Sequence, residues 1–503
     1  MPGHQVAAAV SMNFSALSRH GAFIALLVFY GALLAFQLDH GLASGDGHGI
    51  VRATQALVNS GQIEVSRPPG HPTTEFYLFG TIGWILLKIF GVEFGDKVFL
   101  IWQGVAALAT LTVFYELLYR LTASRLRALL ATIGLAFSSQ FFLNAVDGEE
   151  FIFGLLFLLI AVRLLVVPPE TVSVRRLLLS IFCFALASGC RPELVFAVII
   201  FPIYCLLNSK LGWKYALTSV ALTGIAVVIV WLPILFVGVR APYTAGMNLR
   251  ESILGGVYRI VFQAFTPPVF LLLCWALITA LRDWRRQKRN FAFIASCLIP
   301  LIFLAVFFLH ASKAAHLLVA LPFILLLAAS RSLALVLALS FFTLLGSVVN
   351  IDIFKDRQLV RPFFVPGSYF QVVRQKPYYK LDYLRKLLDR CENRPAVIIG
   401  RAWPWDFEYH IDRGNLPVRE KDLHGAIKRD IPAFFSSGDR CIFLPPDAAY
   451  ENALLEEWQQ KGYAMKMDAN LYRKLFARYD VRSAFSATTA DVGGVTFTLF
   501  RVE

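Results

Sequence analysis

Twelve apolar runs, near 21–38, 76–92, 98–118, 128–145, 151–167, 177–189, 194–207, 215–238, 260–281, 291–309, 315–329 and 333–350, dominate the first 350 residues. Runs of this kind approach the roughly 20 apolar residues needed to cross the hydrocarbon layer of a bilayer. Only 16% of the chain is charged and 57% is hydrophobic, against about 25% charged in an ordinary soluble domain. These features exclude a purely soluble enzyme, a disordered chain and a disulfide-stapled secreted domain. Apolar density collapses after residue 350. The pattern therefore predicts an all-α polytopic membrane domain over 1–350 and a soluble domain over 351–503.

The net charge of +14 divides as +10 over 1–350 and +4 over 351–503. Basic excess in a membrane region reports topology, and no clustered basic stripe of a nucleic-acid surface is present. The run 21–38 lacks a small-residue cleavage site after it and reads as a first span rather than a signal peptide. The run 76–92 is ambiguous, with 17 residues, Lys88 and three glycines. If it lies at the interface or re-enters, eleven spans remain. The loops then assigned to the cytoplasm hold 15 of the 24 basic residues of 1–350, five of them in 282–290. If it crossed, every later basic loop would face outward. The N-terminus is thus expected inside, and loop 39–97 and the C-terminal domain outside. The short runs 177–189 and 194–207 read as a tight hairpin or a broken pair around Arg191-Pro192-Glu193.

Beyond residue 350, Leu381–Arg390 and Ala449–Lys461 read as helices. Segments 395–400, 441–446 and 494–502 read as strands. That alternation suggests a small α/β domain. Five cysteines (Cys183, Cys190, Cys205, Cys274, Cys297) sit in apolar runs as small hydrophobes. Cys391 and Cys441 are the two in the outer domain, where a disulfide between them is expected.

Five constellations could carry chemistry. Asp46, in Ser44-Gly45-Asp46-Gly47, follows the first span in a glycine-rich turn. It suits a general base at the membrane face or a cap for a helix over Ile50–Ser60. Arg67-Pro68-Pro69-Gly70-His71-Pro72 is stiff and extended. It presents Arg67 and His71 either to an anion or to solvent. Asp147, Glu149 and Glu150 crowd three carboxylates into one turn, which would suit a hard divalent cation or simply cap helices. Arg191 and Glu193 flank a helix break, where ionisable groups face a cavity or a partner; they could also pair with each other or with Asp147 and Glu150. Lys313 and His316 stand at an outer boundary, against the positive-inside trend. There a cation meets an anionic headgroup or snorkels.

In this order and spacing, SGDG, RPPGHP, the short amphipathic helix, DGEE, the RPE break and SKAAH before LPFILLLAA resemble the GT-C superfamily of membrane glycosyltransferases. The similarity is to the branch of protein O-mannosyltransferases and aminoarabinose lipid A transferases (glycosyltransferase family 39-like), over about residues 20–330. The resemblance implies a GT-C fold of about eleven transmembrane helices plus an interfacial one, in a multi-pass protein of the plasma (inner) membrane. It also implies an inverting sugar transfer from a polyprenyl-phosphate donor to a lipid, glycan or protein acceptor on the outer face. Asp46 would be the base. Arg67, His71, Lys313 and His316 would hold the donor phosphate. Asp147, Glu149, Glu150, Arg191 and Glu193 would shape the acceptor or donor pocket. No cofactor is implied with certainty, and a divalent metal stays open. The chain departs from the branch in having a single Asp where many members carry Asp-Glu, and His316 where many carry Tyr or Arg. A secondary transporter would account for many spans, but it predicts an internal repeat and midplane sites, and no repeat is present. A non-catalytic membrane protein with an outer ligand-binding domain is the other alternative.

The charge asymmetry gives a direct expectation. A topology reporter fused at Arg286 reports cytoplasm and one at Asp430 reports the outer side. A cytoplasmic signal at Asp430 would overturn the parity and the placement of 76–92.

Overall fold

A chain in lipid must satisfy its backbone hydrogen bonds within itself, and each of the twelve apolar runs contains helix. The computed structural model describes residues 20–38, 45–63, 74–146, 150–166, 173–208, 210–237, 253, 256–287, 290–309, 314–352, 363–366, 384–385, 388–389, 396–400, 415–422, 441–444, 486–492 and 495–501. The helices are α1 (Gly21–Phe36), α2 (Gly45–Ser60), α3 (Thr74–Phe90), α4 (Asp96–Thr122), α5 (Arg125–Ala136), α6 (Ser139–Val146), α7 (Phe151–Leu165) and α8 (Val174–Cys190). A 3-10 segment, Pro192–Ile199, leads into α9 (Ile200–Leu207) and α10 (Gly212–Val237). A π-helical turn, Arg259–Ala264, precedes α11 (Pro267–Arg282), α12 (Trp284–Gln287) and α13 (Phe291–Leu309). A 3-10 turn, Ala314–Leu317, precedes α14 (Ala320–Arg331) and α15 (Leu333–Val348).

Among the described residues, three helices are long and apolar enough to cross a membrane alone: α4, Gly212–Pro233 of α10 and Phe291–Phe308 of α13. Two further pairs pass that test together as bent spans, α5 with α6 and Gly256–Phe262 with α11. Helix α4 lies centrally, packing on α1, α5, α6, α7 and α14 through buried Phe99, Leu111, Phe114, Leu117 and Leu118. Helix α14 is apolar all round and buried from Ala320 to Ala329, as such helices must be. Helix α10 instead exposes Leu217, Val220, Ile225, Val228 and Ile229, a face suited to acyl chains.

Three local features depart from the sequence reading. The run 128–145 is bent by 59° between α5 and α6. Ser138 makes the break, since its hydroxyl donates to Leu135 O at 2.8 Å and accepts from Phe141 N–H at 3.2 Å. That bond supplies a cap for the second helix. The run 260–281 is interrupted because Pro267 and Pro268 start a new helix at α11, where Pro belongs. Helix α2 begins at Gly45 rather than Ile50, so the backbone of Asp46 lies in its first turn and not in a preceding bend. An acid is favoured there by the helix dipole.

The glycines that weaken 76–92 as a span have a packing role. A Cβ on Gly80 would meet Leu57, and one on Gly83 would meet Val58 at 2.9 Å and Phe94 at 3.3 Å. Close approach of α3 to α2 requires both. Gly91 then ends the helix at φ +64°, a conformation natural to glycine. Thr74 anchors the start of α3 by donating to Leu186 O on α8 at 3.1 Å.

After α15 the chain passes directly into β1 (Val349–Asp352), antiparallel to β2 (Phe363–Pro366). The other strands are β3 (Ala396–Gly400), β4 (Val418–Asp422), β5 (Cys441–Leu444), β6 (Ser486–Val492) and β7 (Val495–Arg501). They form one mixed sheet in the order β4-β3-β5-β7-β6. The expected strands at 395–400, 441–446 and 494–502 are three of these, and β3 and β5 pair in parallel from Ala396 opposite Cys441. Leu384 and Leu388, four apart, are both buried, with helical backbone at 384–385 and 388–389. Segment 449–461 and Cys391 lie outside the described residues.

Gly83→Val should separate α3 from α2 and lower stability by about 1–3 kcal/mol, the usual cost of overpacking. Gly224→Ala meets open space and should be neutral or stabilising. Thermal unfolding of the two purified variants checks this; equal melting would remove the close-packing role of Gly83.

Candidate active site

Proline sets the geometry of the central residue. A residue before proline avoids the helical region, so α8 stops at Cys190 and Arg191 is extended at φ −140°, ψ 109°. Pro192 then opens the 3-10 segment. The Arg191 guanidinium donates from Nη1 to Glu150 Oε1 at 2.7 Å. It donates from Nη2 and Nε to Glu193 Oε1 at 2.5 and 3.0 Å. Its flat face lies 3.8 Å from the centre of the Phe151 ring, a cation–π contact. Arg191 is 3% exposed and Glu150 2%, so both charges have left water. Burial alone would lower the basicity of Arg191, but the carboxylates of Glu193 and Glu150 outweigh it and hold the guanidinium above its ordinary value.

His316 completes the cluster. Its Nδ1 lies 2.7 Å from Glu193 Oε1 and 2.9 Å from Arg191 Nη2. A guanidinium can only donate, so an unprotonated Nδ1 accepts from Arg191 and a protonated one donates to Glu193. The ring meets Phe151 edge-on at 5.4 Å. Gly154, one turn into α7, leaves room for the arginine stem: a Cβ there would lie 3.1 Å from Arg191 Cγ. Three segments far apart in sequence are thereby joined: the acidic turn at Glu150, the elbow at 191–193 and the turn at Ala314–Leu317.

A second, neutral set of polar side chains leads to the acidic turn. Gln103 of α4 donates to Asn144 O, and Asn144 donates to Gln140 O at 2.7 Å. All three side chains are buried. They lie inside apolar runs and carry no charge, so the sequence reading passed over them. Spacing offers one signal: Gln140 and Asn144 share a helix face four residues apart.

Of the residues singled out from sequence, the structure brings together Glu150, Arg191, Glu193 and His316. Asp46 is placed by its backbone in the first turn of α2. Arg67, His71, Asp147, Glu149 and Lys313 lie outside the described residues. Among the described residues, no three His, Cys, Asp or Glu side chains converge to hold a metal ion, and Glu150 of the acidic turn is engaged by Arg191.

No protein-family model matches this chain, and no curated protein matches it in sequence. Its fold has solved counterparts. The structure of ArnT from Cupriavidus metallidurans bound to undecaprenyl phosphate is similar at a TM-score of 0.57 and 12% identity, over 96% of this chain and 98% of that one. The apo form of the same protein gives 0.58 at 11% identity with the same coverage. The likeness is one of fold, and it runs nearly end to end, including the part that follows the membrane helices. It agrees with the GT-C resemblance of the sequence motifs.

Removing Arg191 strands two buried carboxylates, which typically costs about 3–5 kcal/mol. Arg191→Met should therefore melt well below the parent. Adding Glu150→Gln and Glu193→Gln should recover most of the loss, because no unpaired charge remains. Differential scanning of the purified proteins reads both; a single variant as stable as the parent would mean that the cluster does not hold these segments.

Proposed function

We propose that this chain is a membrane glycosyltransferase that takes a sugar from a polyprenyl-phosphate carrier and passes it to a lipid, glycan or protein acceptor on the outer face of the membrane. The observation that carries this reading is the ArnT-like fold over 96% of the chain, one of whose solved examples holds undecaprenyl phosphate. The ordered motifs of the sequence fall within the matched region. We count eleven crossings, with α3 at the outer interface, and read 351–503 as an outer α/β domain built on the five-stranded sheet.

Physical chemistry supports the assignment. A polyprenyl tail holds its sugar at the bilayer surface, because each buried CH₂ is worth about 0.8 kcal/mol. The acceptor hydroxyl must lose a proton as it attacks, and the leaving phosphate must be met by cations in a poorly hydrated groove. Asp46 is our base. At the start of α2 it follows the first span in sequence, within the same stretch 39–97 that carries Arg67 and His71. Arg67 and Lys313 are our phosphate ligands, with His71 beside them. His316, three residues beyond Lys313 in sequence, is held by Glu193 and Arg191. Asp147 and Glu149 precede the anchored Glu150 and are assigned to the acceptor pocket. Attack opposite the leaving phosphate makes the transfer inverting.

Asp46→Asn tests the reading. Asn serves as a helix-start residue about as well as Asp, but it accepts no proton at neutral pH. Turnover with a panel of polyprenyl-phosphate sugars should fall about 10²–10⁴-fold while melting stays near the parent value. Arg67→Ala should weaken donor binding instead. Near-parental turnover by Asp46→Asn would return that residue to a structural role.

A further inference from the structure

On the side carrying 282–290, opposite the site just described in our topology, α11 and α13 diverge around a cavity of about 460 Å³. It is lined by Leu281, Arg282, Trp284, Cys297, Leu298 and Leu301. All but Arg282 offer an apolar or largely apolar surface. On α13 the lining runs from Cys297 to Leu301, which at a rise of about 1.5 Å per residue is roughly 6 Å of helix. Leu281 and Leu301 are half-exposed, so the cavity opens sideways to the surroundings as a groove.

The sequence that includes Arg282 and Trp284 is strongly basic. Residues 282–290 contain five basic side chains and one acid, Asp283. That acid is engaged by Arg331 from α14, which also donates to Ala280 O at 3.4 Å. Arg282 forms no ion pair with an acid among the described residues. A guanidinium that pairs with no acid among the described residues therefore stands in the lining of an otherwise apolar slot. Trp284 stands beside it, of the residue type that settles at membrane–water boundaries.

We propose that this groove binds an anionic phospholipid of the bilayer, with its headgroup phosphate on Arg282 and an acyl chain along Leu298 and Leu301. The match is one of charge and shape. A soluble anion would leave the slot empty, and a zwitterionic lipid would bring a second cation beside Arg282. The site is independent of the sugar-transfer reading, and nothing in it touches the Arg191 cluster.

The test uses full-length protein reconstituted in mixed phosphatidylcholine and phosphatidylglycerol vesicles and then gently extracted. Native mass spectrometry counts the lipids that stay bound. Phosphatidylglycerol should be retained over phosphatidylcholine by about fivefold, the factor expected for one arginine near a headgroup. Arg282→Gln should bring the two toward parity. Leu298→Trp fills the slot while keeping the charge, and should reduce retention of both lipids; size-exclusion profiles of both variants establish that they fold. Equal retention by the parent, or an undiminished preference in Arg282→Gln, would overturn the proposal. So would displacement of the lipid by inorganic phosphate alone, which would mark an anion site without a chain groove. Cross-links between two copies through introduced cysteines at 298 or 301 would do the same, by giving the groove to a second protomer.

Discussion

A guanidinium withdrawn from water must be paired, and in this protein that requirement organises the helices around the site. Arg191 stands at a break between short helices, where neither water nor its own backbone can satisfy five N–H donors. Glu193 lies two residues away and is a local answer. Glu150 is not local; to reach it, α7 lies against the end of α8 so closely that a Cβ at position 154 would crowd the Arg191 stem at 3.1 Å. His316 extends the same demand to the turn before α14. The order of the helices is fixed by the sum of their apolar faces, but the mutual height of these three segments is fixed by hydrogen-bond lengths of 2.5–3.0 Å.

Much of this was legible from sequence, and the reasons are specific. The twelve apolar runs mark the helices because lipid leaves an apolar chain no other backbone solution. The break at 191–193 is visible because proline forbids helix before it. Glu150, Arg191, Glu193 and His316 stood out because ionisable residues at such boundaries are rare and need partners. Pairing of Arg191 and Glu193 with each other or with Glu150 was one of the readings the sequence left open; that all these bonds form together and that His316 joins them was not legible. It depends on contacts 41 and 125 residues apart, which a linear pattern does not encode. The bend at Ser138 escaped for a related reason: serine inside an apolar run does not betray whether its hydroxyl bonds back within one helix or caps the next. Gln103, Gln140 and Asn144 were invisible because neutral polar residues barely disturb an apolar run.

The ambiguous run 76–92 shows how a weak span can be a strong packing element. Its glycines lower its apolar character and interrupt its side-chain surface, which counts against crossing. The same positions let α3 approach α2, where Asp46 and buried His48 begin the helix. Thr74 ties the other side of α3 to α8, one turn before Arg191. A helix that contributes little as a membrane anchor thus connects the element bearing Asp46 to the element bearing the buried cluster.

The cluster also has a history during synthesis. Glu150 leaves the ribosome 41 residues before Arg191, a wait of roughly 2–8 s at the usual rate of chain growth. Arg191 in turn precedes His316 by 125 residues, roughly 6–25 s more. In those intervals the short helices around the break carry charges that lack some of their final partners. Neither is long and apolar enough to enter a membrane by itself. Arg191 thus acquires its last partner in this cluster only when the segment carrying His316 has been made.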